Sequence, residues 1–122
     1  MSRRVLIVED ESLLVMVLED VLPALGCEVA ATAHSVETAL AALAADDAVD
    51  LAILDVNLAG DDSFPVADAL SARGIPFFFA TGYGHSVLPE RHAGAIMIKK
   101  PYGQRDLESA LARVQAHPSL PS

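Results

Sequence analysis

Leu51-Ala52-Ile53-Leu54-Asp55-Val56-Asn57 is the stretch of sequence that decides the predicted fold. Four consecutive apolar residues stand here between two aspartates, Asp50 and Asp55. A run of this kind is typical of a β-strand that is covered on both faces, as in a parallel sheet with helices on either side. In such sheets, sites form at the carboxyl ends of the strands, so Asp55 and Asn57 are predicted to lie at a functional site.

Strands and helices are predicted to alternate along the rest of the chain. Apolar runs predict four further strands, at residues 4–8, 27–33, 76–80 and 95–98. Apolar residues at helical spacing predict helices at residues 12–25, 36–45, 64–73 and around 107–114. Ser35 and Ser63 are predicted N-caps, and residues 58–62 a predicted loop. Two glycines and Pro89 leave room only for a short fourth helix, from near Pro89 to Ala93.

This alternation predicts an α/β fold, a doubly wound five-stranded parallel sheet flanked by helices. The length of 122 residues fits one domain, residues 1–122, with residues 116–122 as a frayed tail. No apolar run is long enough to span a bilayer, and the chain begins with a strand instead of a signal peptide. We therefore expect a cytoplasmic protein with no membrane partner. The single cysteine, Cys27, is expected in the core, and the four histidines on the surface.

The charge of the chain is acidic and unevenly placed. The net charge of −9 argues against binding to nucleic acid through its phosphates. Residues 1–62 carry 13 acidic and 2 basic side chains, whereas residues 63–122 carry 4 and 6. This asymmetry predicts a cation site in the first half and an anion partner for the second.

Polar side chains follow four of the predicted strands. Glu9 and Asp10 follow the first strand, and Asp55 with Asn57 follows the third. Carboxylates gathered in one pocket need a cation, and Mg²⁺ (or Mn²⁺) prefers such oxygen ligands together with waters and a phosphate. Glu9, Asp10, Asp55 and a backbone carbonyl near Asn57 are therefore predicted metal ligands. The metal would stabilise charge on a phosphoryl group that Asp55 attacks.

Two further strand ends supply Thr81 and Lys100. The ammonium of Lys100 can pair with a phosphoryl oxygen, and the hydroxyl of Thr81 can donate a hydrogen bond to another. Lys100 is preferred over Lys99 because it directly precedes Pro101. The predicted chemistry is phosphoryl transfer to a carboxylate.

The ordered set Glu9-Asp10, Asp55, Thr81 and Lys100-Pro101 resembles the receiver domain of two-component response regulators, the CheY-like superfamily. The resemblance covers essentially the whole chain and implies a flavodoxin-like sheet with strand order 2-1-3-4-5. It implies that Asp55 accepts a phosphoryl group from a histidine kinase or phosphotransfer protein. It also implies that Glu9 and Asp10 hold Mg²⁺, that Thr81 and Lys100 read the phosphorylated state, and that the Lys100–Pro101 bond is a candidate cis peptide.

Because only a short tail follows the last predicted helix, we expect a stand-alone receiver that signals by protein contact or phosphate relay. We expect a phosphoacceptor that promotes its own phosphorylation and dephosphorylation, and not an enzyme. Phe79-Ala80-Thr81-Gly82-Tyr83 is similar to the motif of a subgroup of single-domain receivers. The segment from Tyr83 to Gly94, with the fifth strand and last helix, is predicted to change on phosphorylation.

Two departures from the family pattern concern the switch and the metal. Most receivers carry Tyr or Phe three residues before the site Lys, where this chain has Met97. Tyr83 is a candidate substitute for that aromatic switch. Glu9 stands where Asp is commoner, so its extra methylene either shifts the metal geometry or places a water between ligand and ion.

Three alternatives stay open beside this interpretation. A phosphatase of the haloacid dehalogenase type would need a second acid two residues after Asp55, and Asn57 cannot transfer protons. A flavodoxin-like nucleotide binder would need a phosphate-binding loop where Glu9 and Asp10 stand. A degenerate receiver that serves only as an interaction module is the third. Taken alone, Asp10 is also typical of a helix N-cap.

Overall fold

A five-stranded parallel sheet forms the centre of the fold. The computed structural model describes residues 3–58, 60–82 and 88–116. The sheet contains β1 (Arg3–Val8), β2 (Cys27–Ala33), β3 (Leu51–Asp55), β6 (Phe77–Thr81) and β7 (Ile96–Lys99). Two short strands, β4 (Asn57–Leu58) and β5 (Asp61–Asp62), pair with each other outside it. The spatial order β2-β1-β3-β6-β7 is the predicted flavodoxin-like order once these two are left out of the count.

Four α-helices cover the two faces of the sheet in the described part of the chain: α1 (Ser12–Ala24), α2 (Val36–Ala45), α3 (Phe64–Ala72) and α4 (Gln104–Ala116). Side chains alternate along β1, so Val5 and Ile7 pack with α1 and α4, whereas Leu6 and Val8 pack with α2 and α3. The side chains of Val5, Leu6, Ile7 and Val8 are all fully buried. Each strand therefore contributes to two cores, as predicted for a sheet covered on both sides.

Polar contacts mark both ends of the buried part of β1. At its start, the Arg4 amide donates to Asp50 Oδ2 (2.8 Å), and the Asp50 amide donates to the Arg4 carbonyl (2.8 Å). At its end, the Glu9 amide donates to the Ala33 carbonyl (2.9 Å). The apolar residues of β1 thus lie between hydrogen-bonded residues at both ends of the strand.

In the described part of the connection between β6 and β7, a 3₁₀ turn spans Glu90–His92 and is flanked by Pro89 and Ala93. This confirms the predicted short or irregular fourth helix. Tyr83 and His85 lie outside the described residues, as does the predicted tail beyond Ala116, which is the last residue of α4. Across the described ranges, no helix combines the length and the apolarity needed to cross a bilayer.

The predicted loop at residues 58–62 is wrong in part, because β4 and β5 form an antiparallel ribbon there. Gly60, with a φ of +96°, makes the turn, and its amide donates to Asn57 Oδ1 (3.0 Å). A left-handed glycine and an asparagine acceptor are typical of a tight turn between paired strands. The ribbon therefore begins two residues after the predicted phosphoacceptor.

The two predicted N-cap serines differ in the structure. Ser35 accepts a hydrogen bond from the Thr38 amide (3.1 Å), and the Thr38 side chain accepts one from the Ser35 amide (3.1 Å), which completes a capping box. Ser63 precedes α3 as predicted, but its side chain caps nothing. Its hydroxyl is buried and has no hydrogen-bond partner among the described residues.

This difference predicts opposite effects of alanine at the two serines. Ser35→Ala should lower the free energy of unfolding by about 1 kcal/mol, because it removes a cap. Ser63→Ala should leave it unchanged or raise it by up to about 1 kcal/mol, because it removes a buried hydroxyl without a partner. Urea denaturation of both variants beside the wild type measures the difference. A clear loss of stability in Ser63→Ala would show that its hydroxyl has a partner.

Candidate functional site

The carboxyl edge of the sheet brings the predicted site residues together. β1, β3 and β6 are neighbours in the sheet and end just before Glu9, at Asp55 and at Thr81. Lys100 follows β7, and its amide donates to the Thr81 carbonyl (2.8 Å). An open cleft of about 430 Å³ lies here, lined by Asp10, Glu11, Asp55, Asn57, Gly82 and Lys100. The parallel arrangement thus assembles one pocket from distant parts of the sequence.

Lys100 is the centre of the contacts in this pocket. Its Nζ donates to Asp55 Oδ2 (3.0 Å) and forms a 2.8 Å ion pair with Glu9 Oε1. Glu11 Oε1 lies 3.6 Å from the same nitrogen at the exposed rim. Lys99 is exposed, whereas only 13% of the Lys100 side chain is accessible. Sequence reasoning placed Lys100 in the pocket as a partner for a phosphoryl oxygen, and did not predict its contacts with Glu9 and Asp55.

Three carboxylates converge beside that ammonium. Glu9, Asp10 and Asp55 each offer an oxygen, and these oxygens lie within 4.8 Å of one another. Glu9 and Asp55 are buried and Asp10 is exposed. The N-cap of α1 is Glu11 and not Asp10. A compact set of carboxylate oxygens fits a hard divalent cation such as Mg²⁺.

Backbone amides also hold the buried carboxylates in place. The Glu11 amide donates to Glu9 Oε2 (3.1 Å), and the Asn57 amide donates to Asp55 Oδ1 (3.3 Å). Glu9 and Asp55 are therefore each held by a backbone amide on one oxygen and by Lys100 on the other. Their orientation is set by the protein.

Burial and the crowding of charge shift two pKa values in the pocket. Burial raises the pKa of Glu9 from 4.5 to about 7, although the hydrogen bond from Lys100 opposes this change. Burial by itself lowers the pKa of Lys100, but its hydrogen bonds to Glu9 and Asp55 outweigh burial, so that pKa is raised. Lys100 is therefore a fixed cation at every physiological pH.

Thr81 is the buried last residue of β6, and its carbonyl accepts a hydrogen bond from the Lys100 amide. Met97 lies on β7 opposite Phe79 and packs against the α2 and α3 side of the sheet. The Lys100–Pro101 peptide is cis, as the resemblance implied. The candidate switch Tyr83 lies outside the described residues.

Tyr102 is a neighbour of the pocket that sequence reasoning missed. Its hydroxyl is buried without a hydrogen-bond partner among the described residues. Burial raises the pKa of Tyr102 to about 12, and the charges of Glu9 and Asp55 add to this effect. Its position directly after the Lys100–Pro101 pair was the signal available in the sequence.

His92 contradicts the prediction that the histidines lie on the surface. It is buried beside three phenylalanines, whereas His34 is exposed as predicted. Cys27 is buried in the core, also as predicted. The apolar neighbours of His92 come from distant segments, so no local pattern revealed its burial.

The structure is a doubly wound α/β domain with an acidic pocket, a buried aspartate and a lysine at the carboxyl edge of a flavodoxin-like sheet. The sequence profile of the response regulator receiver domain matches residues 5–112. The chain therefore belongs to the response regulator receiver domain family.

Solved structures show the same fold over nearly the whole chain. The receiver domain of the PhyR response regulator from Erythrobacter litoralis is 27% identical with a TM-score of 0.86, over 99% of this chain and 95% of that one. SdrG from Sphingomonas melonis Fr1 is 42% identical with a TM-score of 0.83, over 93% and 97%. The BeF3-activated conformation of SdrG, from Pseudomonas melonis Fr1, is 43% identical with a TM-score of 0.79, over 93% and 98%. Comparison with curated protein sequences gives no match.

Proposed function

We propose that this receiver domain accepts a phosphoryl group on Asp55 in a two-component phosphorelay. The observation that carries the proposal is the contact of Lys100 Nζ with the buried Asp55 Oδ2 at 3.0 Å. A carboxylate is a nucleophile for phosphoryl transfer when a cation offsets the charge of the incoming group. The donor is a histidine kinase or a histidine phosphotransfer protein, and the output is contact with a downstream protein. The motif at residues 79–83 supports membership of the single-domain subgroup.

The residues of the chain have distinct proposed roles. The Asn57 amide and Lys100 orient the Asp55 carboxylate for attack. After transfer, Lys100 pairs with a phosphoryl oxygen and Thr81 donates a hydrogen bond to another. The Lys100 amide donates a hydrogen bond to the Thr81 carbonyl. The two residues that bind the phosphoryl group are therefore also linked to each other through their backbones.

The donor set of the pocket fits Mg²⁺ or Mn²⁺, because carboxylate oxygens of Glu9, Asp10 and Asp55 converge within 4.8 Å. The backbone carbonyl of Asn57 is proposed as a further ligand, since Asn57 lines the same cleft. A bound Mg²⁺ neutralises charge on the transferring phosphoryl oxygens. The pocket acts on its own Asp55 and on no separate substrate, so we propose a phosphoacceptor that promotes its own phosphorylation and dephosphorylation.

Two observations weigh against a degenerate receiver that works only as an interaction module. Glu9, Asp10, Asp55, Thr81 and Lys100 lie together at the carboxyl edge of the sheet, and Lys100 Nζ contacts both Glu9 and Asp55. The SdrG structure at 43% identity is described as a BeF3-activated conformation, and this supports a response to a phosphoryl mimic here.

Phosphorylation by a small-molecule donor tests the proposal. The wild type, incubated with acetyl phosphate and Mg²⁺, should gain one phosphoryl group by intact-mass measurement, and acid or base should hydrolyse the adduct. Asp55→Asn should gain none. The control is Asp61→Asn, which removes an exposed acid from β5 and should be phosphorylated like the wild type. Persistence of the adduct in Asp55→Asn, or its absence from the wild type, would reject Asp55 as the acceptor.

A further inference from the structure

His92 occupies a buried position outside the phosphoacceptor pocket. Its ring centroid lies 6.1 Å from that of Phe64 and 6.0 Å from those of Phe77 and Phe79. Its Nε2 lies 2.8 Å from Asp68 Oδ1 on α3, and 6% of its side chain is accessible. Among the described residues, the polar partner of this buried imidazole is the Asp68 carboxylate, as expected for a buried polar group with apolar neighbours.

The same carboxylate binds the preceding residue. Arg91 Nε donates to Asp68 Oδ1 (2.8 Å), and Arg91 Nη2 donates to Asp68 Oδ2 (3.1 Å). The hydrogen bond from Arg91, with a smaller contribution from His92, lowers the pKa of Asp68. We call Asp68, Arg91 and His92 the Asp68 clamp. It fixes the 3₁₀ turn between β6 and β7 to α3 through one carboxylate.

The aromatic neighbours of His92 lead to two parts of the phosphoacceptor pocket. Phe64 begins α3, two residues after the end of the ribbon that follows Asp55. Phe79 precedes Thr81 by two residues on β6, and the Phe64 and Phe79 rings are 6.0 Å apart. His92 therefore touches both the segment that follows the acceptor and the strand that ends in the residue proposed to read it.

We propose that the Asp68 clamp stabilises the unphosphorylated conformation and must loosen when Thr81 and Lys100 bind a phosphoryl group. In the structure the clamp occurs together with the Lys100–Asp55 contact. On the proposed function, phosphorylation of Asp55 breaks that contact, because Lys100 then pairs with a phosphoryl oxygen. Contacts that exist in only one of two conformations bias the equilibrium between them. Met97 stands in place of an aromatic switch. The rings of Phe64 on α3 and of Phe77 and Phe79 on β6 instead pack against His92 in the β6–β7 connection.

The test measures how tightly clamp variants bind a phosphoryl mimic, and it rests on the proposed function. Wild type, Asp68→Ala and His92→Phe are titrated with beryllofluoride at fixed Mg²⁺, followed by the amide resonances of Thr81 and Lys100. His92→Phe keeps an aromatic ring in the apolar site and removes the bond to Asp68. The matched control is Asp20→Ala, which removes an exposed aspartate from α1.

Release of the clamp should increase the apparent affinity for beryllofluoride about three- to tenfold in Asp68→Ala and His92→Phe. Asp20→Ala should bind as the wild type does. In the mimic-free Asp68→Ala variant, amide exchange of residues 88–95 should approach that of the mimic-bound wild type. A purely structural role would lower stability and leave the affinity unchanged.

Each outcome decides between the two proposals. If the wild type binds beryllofluoride and the clamp variants bind it equally or more weakly, the clamp is rejected and the phosphoacceptor function stands. If the wild type does not bind beryllofluoride, the phosphoacceptor function is rejected, and the clamp as a regulatory device is rejected with it.

Discussion

Without divalent metal, the free energy of unfolding should be roughly 2 to 3 kcal/mol higher at pH 5 than at pH 8, on account of Glu9. The pKa of Glu9 is raised from 4.5 to about 7 in the folded protein, chiefly by burial. Between these two values the folded state holds a proton that the unfolded state has released. The contribution of protonated Glu9 to the free energy of unfolding is therefore fully present below pH 4.5, and it is lost as the pH rises through 7.

Lys100 does not produce a slope in this pH range. Its pKa is raised in the folded state above the ordinary value of 10.5, so its contribution is complete below that value and lost only at higher pH. The raised pKa of Tyr102, about 12, also lies outside the range. Of the described groups with shifted pKa values, Glu9 is the one that titrates between pH 5 and 8.

Urea denaturation in EDTA at several pH values measures this effect. The control is Glu9→Gln, which keeps the size of the side chain and removes the titration. Its stability should vary less with pH than that of the wild type, by roughly 2 to 3 kcal/mol between pH 5 and 8. Parallel stability curves for the two proteins would show that Glu9 ionises at an ordinary pKa.

Mg²⁺ should stabilise the wild type by about 2.7 kcal/mol at a concentration one hundred times its dissociation constant. The converging oxygens of Glu9, Asp10 and Asp55 supply the physical reason, because they are held together only in the folded chain. Asp10→Asn replaces a carboxylate in this set by a neutral amide. The stabilisation by Mg²⁺ in that variant should fall to a small fraction of the wild-type value.

Thermal or urea denaturation with and without Mg²⁺ measures the effect of Asp10→Asn. The matched control is Asp61→Asn, which removes an exposed acid from β5. If both variants lost the stabilisation equally, the effect would come from overall charge. If Asp10→Asn kept the full effect, Asp10 would not be a ligand.

The fold and the main pocket could be predicted because both follow from local patterns. Apolar runs located the five strands, and parallel strands bring their carboxyl ends to one edge, which placed Asp55 beside Lys100. Other features depend on contacts between distant residues. His92 is buried by rings from α3 and β6, and its partner Asp68 lies 24 residues away along the chain.

At two places the local sequence was compatible with more than one structure. Ser35 and Ser63 precede helices in the same way, yet only Ser35 caps its helix, because capping depends on backbone angles that a serine does not fix. The turn residues at 58–62 were compatible with a loop or with a paired ribbon, and pairing between Asn57 and Asp62 decided the outcome. Sequence spacing alone does not determine either result.

The polar contacts at the two ends of β1 also help to set the register of this strand during folding. Val5 to Val8 are apolar on both faces, so hydrophobicity alone does not penalise a shift of one residue against β3. Such a shift would separate Arg4 from Asp50 and move the Glu9 carboxylate away from Asp55 and Lys100. The acidic residue proposed to serve signalling thus also helps to select the correct strand alignment among near-equivalent ones.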